Sequence, residues 1–227
     1  MAAPSDRRRT TGPKLPRGKH ALSRASVASN QRARIIDALA QTCAAKGYRA
    51  VTVEDIVVYA GVSRRTFYDL FAGKQECFLD AYELVMDRVL AAVEEAYSAG
   101  ERVWPERIAS GLGVLLERFA SASAFARLTV VEVLSAGHLA LERRDATLRR
   151  FEVFFEPGGA LLPIAVAEQQ LLARAVVGGI SETLYSRIIA GATELPPEFG
   201  PDLLYCALVP YLGHGKAMAV REARRQS

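Results

Sequence analysis

The sequence predicts an all-α fold, and three observations carry that expectation. From residue 29 onward apolar residues recur at steps of three and four, the spacing that gathers one face of a helix. Glycine and proline cluster between those stretches and punctuate them. No stretch alternates apolar and polar residues as a half-buried strand does, and no segment repeats another. Half of the 227 residues are apolar, which suits one or two domains with a sizeable core and excludes a wholly disordered chain.

The elements follow in order. Residues 1–28 hold seven basic side chains against Asp6, three prolines and almost no large apolar residue, so they read as a flexible basic arm. Ile35, Ile36, Leu39, Ala40, Cys43 and Ala44 then mark a helix over about 29–46, with Ser29 or Asn30 as its cap and Gly47 at its end. Thr52 precedes Glu54 and Asp55, a cap followed by acidic residues that suit the positive end of a helix dipole, and opens a short helix over 53–60. Ser63 caps a third helix over about 64–71 with Phe67, Leu70 and Phe71 inward, and a long helix over about 74–99 follows Gly73. Beyond Gly100 the pattern gives helices over about 104–122, 124–136, 138–155, 167–190 and 201–219. Gly137, the Glu156-Pro157-Gly158-Gly159 turn and the Leu195-Pro196-Pro197 loop divide them, and Pro210 should kink the last.

Charge divides the chain more sharply than its net +4 suggests. Residues 1–75 are basic in balance, whereas residues 76–220 hold nineteen acidic side chains against twelve basic ones. A basic front on an acidic body favours a polyanionic partner, either nucleic acid or an anionic membrane surface, although charge alone is equally compatible with a solvated tail. The three cysteines form no close pair and read as buried thiols of a reducing compartment, hence a cytoplasmic protein. No run of about 18 apolar residues supports a membrane span, and the basic opening lacks the apolar core of a secretory signal.

The most informative segment is Ala60-Gly61-Val62-Ser63-Arg64-Arg65-Thr66-Phe67-Tyr68. Gly61 permits a tight turn between two short helices, Val62 fills the space between them, and the second helix sends polar groups outward, the build of a helix-turn-helix. A helix of that width fits the DNA major groove, where Arg64, Arg65, Thr66 and Tyr68 would face base edges and phosphates. Phe67, Leu70 and Phe71 belong to the core by their spacing, and Ser63 serves first as a cap. An Arg pair alone is an ordinary solvated face; its position after Ala-Gly-Val-Ser favours contact with DNA.

Thr52 through Phe78 resembles the DNA-binding module of the TetR family of transcriptional regulators, and the order of the first four helices is similar. The resemblance implies an N-terminal three-helix helix-turn-helix domain over 29–75 and a C-terminal helical ligand-binding and dimerisation domain over 76–227. It implies a ligand-responsive regulator, a repressor by family habit, released from a palindromic operator on double-stranded DNA by a small apolar effector. It also places Thr52, Ser63, Arg64, Arg65, Thr66, Tyr68 and Lys74 at positions that touch DNA, with Tyr68 and Lys74 on phosphates. Arg65 stands where many members have Gly, which adds a charge.

In the body, Trp104, Phe119, Phe125, Phe155 and the polar Thr129, Glu132 and Tyr185 are candidates for an effector pocket, each aromatic being individually better explained as bundle core. The segment over 167–190 is apolar on more than one face and carries Gly178-Gly179. Together with 201–219 it suggests a four-helix homodimer contact about a two-fold axis. No GxSxG, HExxH or phosphate-loop signature occurs, and His20, His138 and His214 lie far apart, so no catalytic residue, metal site or cofactor is expected. A small-molecule-binding helical enzyme and an anionic membrane-surface adaptor are the rival functions.

Overall fold

The computed structural model describes residues 24–99, 103–191 and 196–226, and all their regular structure is helical. Ten α-helices follow in order: α1 (Arg24–Lys46), α2 (Val53–Ala60), α3 (Arg64–Leu70), α4 (Lys74–Ser98), α5 (Trp104–Ser121), α6 (Ser123–Val130), α7 (His138–Glu152), α8 (Glu156–Gly159), α9 (Val166–Ile189) and α10 (Phe199–Arg225). Short 3-10 turns at Glu132–Ser135 and Val153–Phe155 follow α6 and α7. No described helix is long and apolar enough to cross a membrane.

Several boundaries differ from expectation for identifiable reasons. Helix α1 begins at Arg24, so Ser29 and Asn30 lie within it and cap nothing. The basic arm is thereby shortened, and its residues 1–23 lie outside those described. The single helix expected over 124–136 stops at Val130, where Thr129, Val130 and Val131 place three β-branched side chains in succession. Glu156-Pro157-Gly158-Gly159, expected as a turn, forms one helical turn with Pro157 near its start, where its missing N–H costs nothing. In α10 the chain stays helical through Pro210 and breaks three residues later at Gly213, whose φ of 74° is strained for any side chain.

Two cores result. The first gathers Ile35, Leu39 and Cys43 of α1, Ile56 of α2, Phe67 and Phe71, and Phe78 and Tyr82 of α4. It does not close at residue 75: Met86, Leu128, Val133, Ala136 and Ala140 from the body complete it. The second is built on α5, α9 and α10 around Leu112, Leu116, Val177, Leu204 and Leu208, with Val89, Val93 and Tyr97 from the far half of α4. Helix α4 therefore belongs to both. Cys43 and Cys77 are buried as expected, and burial pushes the Cys43 thiol up to about 12 and the Cys77 thiol up as well. Cys206 departs from expectation; it is exposed on α10.

Candidate DNA interface and ligand cavity

The front of the molecule is fixed by side-chain caps. The Thr52 hydroxyl oxygen accepts from the Asp55 N–H at 3.2 Å, and the Asp55 carboxylate accepts from the Thr52 N–H at 2.9 Å. Lys46 reaches the same carboxylate at 2.5 Å, and Lys46 with the two Thr52 donors holds the Asp55 carboxyl down at about 2. Gly61 ends α2 with φ 61°, and the Val62 N–H returns to the Val57 carbonyl at 3.1 Å. The Arg34 guanidinium donates to the Ala60 and Gly61 carbonyls, which ties the turn to α1. Ser63 starts α3 by accepting from the Thr66 N–H at 3.0 Å.

That framework leaves one face of α3 in solvent. Phe67 is fully buried, while Arg64, Arg65 and Tyr68 are exposed and Thr66 is half-buried, joined by its hydroxyl to Ser63 at 2.9 Å. Arg64 approaches Glu54 at 3.6 Å and Arg65 approaches Asp69 at 4.0 Å, with the Arg65 side chain 91% exposed. Such solvent-screened pairs are weak and leave both guanidinium groups able to take other partners. Thr52 is exposed at the start of α2. Lys74, expected on a phosphate, is engaged within the chain: its ammonium donates to the Tyr48 and Val51 carbonyls at 2.8 and 2.7 Å and lies 4.3 Å from the centre of the Tyr48 ring. Two of its three N–H groups thus fasten the α1–α2 turn.

Deeper in the body, α4, α5, α7 and α9 surround an apolar cavity of about 100 Å³ that opens to solvent. Met86, Val93, Leu112, Phe119, Phe151 and Leu184 supply much of its wall. Tyr82, Tyr97, Thr129, Arg144, Thr147 and Ser181 are the polar side chains there, and Arg144 donates to the Ser181 hydroxyl at 3.0 Å. At one end Trp104 Nε1–H donates to the Phe154 carbonyl at 2.9 Å, and the indole meets Phe155 and Tyr211 edge-on. No cluster of metal-ligating side chains occurs among the described residues.

A front module of this build, joined by one helix to a hollow helical body, has close counterparts. Residues 35–81 match the family model described as bacterial regulatory proteins, tetR family. Over that stretch the chain is similar to the tetR family. A putative TetR-family transcriptional regulator from Syntrophomonas wolfei superposes with a TM-score of 0.68 at 19% identity, over 82% of this chain and 96% of that one. The fatty acid degradation regulator FadR from Bacillus halodurans gives 0.65 at 17% identity, over 86% and 94%. FadR from Bacillus subtilis in complex with stearoyl-CoA gives 0.64 at 19%, over 85% and 96%. These similarities establish a shared fold along most of the chain. No curated protein matches it significantly by sequence.

Within this fold, Phe119, Thr129 and Phe155 of the pocket candidates lie in the cavity wall. Four other candidates do not. Trp104 stands behind the wall, supporting Phe154 and Phe155. Phe125 packs on the first core instead. Tyr185, half-buried on α9, is not part of the lining. Glu132 is buried away from the cavity, accepting from the Tyr48 N–H at 2.7 Å and from Arg127 Nε–H at 3.0 Å. Sequence reasoning missed Arg144, although the signal was present: Ala140, Arg144, Thr147 and Phe151 recur at steps of four, three and four along the inward stripe of α7.

Proposed function

We propose that this protein is a cytoplasmic, ligand-responsive repressor that works as a homodimer on a palindromic operator and releases it when a small apolar molecule enters the body cavity. The observation that carries this reading is the double membership of α4. At its start Lys74 fastens the α1–α2 turn, and further along the same helix Tyr82, Met86, Val93 and Tyr97 line the cavity. A molecule that displaces the cavity walls therefore acts on the helix that positions α3. Near-complete reversal of occupancy needs about a 10⁴-fold preference of the ligand for one of the two arrangements.

Arg64, Arg65, Thr66 and Tyr68 are assigned to the operator, with Thr52 and Ser63 at the two helix starts near the backbone. Lys74 acts chiefly by holding the turn, with one N–H left for a phosphate. One α3 reads only a few base pairs, so a two-fold pair is needed, with half-sites spaced by roughly 34 Å or a multiple of it. Helices α9 and α10 are assigned to the pairing. Leu171 is exposed on α9, and a Cβ at Gly178 or Gly179 would meet nothing within 4 Å, so these small residues serve no contact within the described chain. The Bacillus subtilis FadR neighbour is described in complex with stearoyl-CoA, whose acyl chain is a long apolar group, and this supports an effector with an apolar part.

Selection of genomic fragments by the purified protein tests the reading. The expected result is a palindromic site bound by a dimer. Recovery of fragments without any shared sequence would overturn it.

A further inference from the structure

The cavity wall contains one charged side chain, Arg144, and its charge has no carboxylate partner among the described residues. The contrast with its neighbours on α7 is informative. Arg143 pairs with Glu83, Arg149 with Asp145 and Arg150 with Asp87, all on the outer faces, whereas Arg144 turns inward and bonds only the neutral Ser181 hydroxyl. A guanidinium stays protonated under all ordinary conditions, and holding it against an apolar wall without a counter-charge is unfavourable. A site that must also accept a ligand resolves this if the ligand brings the negative charge.

We propose that the cavity takes an amphipathic carboxylate, its head on Arg144 and Ser181 and its apolar tail along Leu112, Phe119 and Leu184. This deepens the effector assignment above and rests on it. The planar fork of Arg144 offers a pair of N–H donors to two carboxylate oxygens, a match that neither an alcohol nor a hydrocarbon can return. The remaining polar groups on this side agree. Thr147 donates its hydroxyl to the Arg143 carbonyl at 2.9 Å and faces the Tyr82 phenol. Burial raises the Tyr82 pKa, opposed by Thr147 and by the Arg144 charge, so the phenol remains a neutral donor. Arg144, Ser181 and Tyr82 can therefore offer N–H or O–H to an anion at this end, while the hydroxyls of Thr147, Thr129 and Tyr97 are turned to backbone carbonyls and Leu112, Phe119 and Leu184 offer only carbon. A bulky nucleotide thioester would lack the free carboxylate that the fork selects.

Trp104, the single tryptophan, touches the wall residues Phe154 and Phe155 and so reports filling of the cavity. Decanoate, decanol and decanoyl-CoA are titrated into the full-length protein and into Arg144→Met and Arg144→Lys while tryptophan emission is followed, with circular dichroism as the check on folding. The wild type is expected to bind decanoate about tenfold or more tightly than decanol, the difference a charge-assisted pair makes. Arg144→Met should bind the two alike, and Arg144→Lys should keep part of the preference. Equal affinity of the wild type for acid and alcohol, an undiminished preference in Arg144→Met, or binding of the thioester alone would overturn the assignment. The selected operator duplex separates this from the function it rests on. Decanoate binding with acid preference but no change in DNA affinity sustains the anion site and refutes release by ligand. DNA release by decanol and decanoate alike sustains release and refutes the anion site.

Discussion

The carboxylate of Glu132 accepts the backbone N–H of Tyr48 at 2.7 Å, joining the body to the α1–α2 turn across 84 residues of chain. Glu132 is 4% exposed, and its other oxygen holds Arg127 Nε at 3.0 Å. The Tyr48 carbonyl is in turn held by Lys74, so a single residue of the turn is gripped from the body and from α4. Glu132→Ala leaves a buried N–H without an acceptor, and should lower stability by about 1–3 kcal/mol. Urea unfolding measures it; a midpoint equal to that of the wild type would show that the contact carries no stability.

The exposed guanidinium groups of α3 predict the opposite separation. Arg64 and Arg65 make only screened contacts at 3.6 and 4.0 Å, so replacing either with Ala should leave the urea midpoint nearly unchanged. Each change should nevertheless cost about 1–3 kcal/mol in binding the selected operator if it reads a base edge, and should relax preference at that position. Fluorescence anisotropy on operator and scrambled duplexes distinguishes the cases. Loss of affinity that is equal on both duplexes would assign these residues to phosphates instead.

These two sets of residues also show what a sequence can disclose. The segment from Thr52 to Lys74 was legible because its signals are local: caps, a glycine turn and helical spacing lie within a few residues of the groups they position. Glu132 was not, because its partner Tyr48 is distant in sequence and an acidic residue beside β-branched ones looks the same whether it faces a cavity or braces a turn. Phe125 and Phe119 are equally apolar, and only the packing of α6 against α1 puts the first on the front core while Phe119 of α5 lines the cavity. Lys74 was found by position, yet its inward turn depends on carbonyls left open by the α1–α2 loop, which composition does not reveal.

Asp55 gives the acid limb of stability a defined sign. Lys46 and Thr52 depress its carboxyl from 3.8 to about 2, so the folded protein binds this proton less readily than the unfolded chain. The contribution is fully present above the unfolded value and is lost as pH falls from about 4 toward 2. Asp55→Asn should therefore narrow the difference in stability between pH 5 and pH 2.5, measured by thermal unfolding at both. An unchanged difference would remove Asp55 from the acid response.

Trp104 and Gly158 make the tightest packing at the cavity end. A Cβ at Gly158 would lie 2.2 Å from the indole Cη2 and 2.4 Å from Cζ2, so the ring would have to move. Its Nε1–H bond to the Phe154 carbonyl and its contacts with Phe155 and Tyr211 oppose that movement. Gly158→Ala should destabilise by about 1–3 kcal/mol through overpacking, with a shift in tryptophan emission. Unaltered emission and unfolding temperature would mean that the wall at α8 yields freely.

The glycines of α9 offer the sharpest test of pairing, because within one chain they have nothing to avoid. A Cβ at Gly179 meets no atom within 4 Å, and glycine inside a helix is less favourable than alanine by roughly 0.5–1 kcal/mol. Gly179→Ala and Gly179→Glu should therefore leave an isolated chain as stable as before or slightly more so. If a second α9 packs here, the larger carboxylate must be buried at the contact, and Gly179→Glu should shift the protein toward monomer in sedimentation equilibrium and lose affinity for a palindrome more than for a half-site. A dimer of undiminished strength would place the two-fold contact on another face, and the exposed Leu171 would then need a different partner.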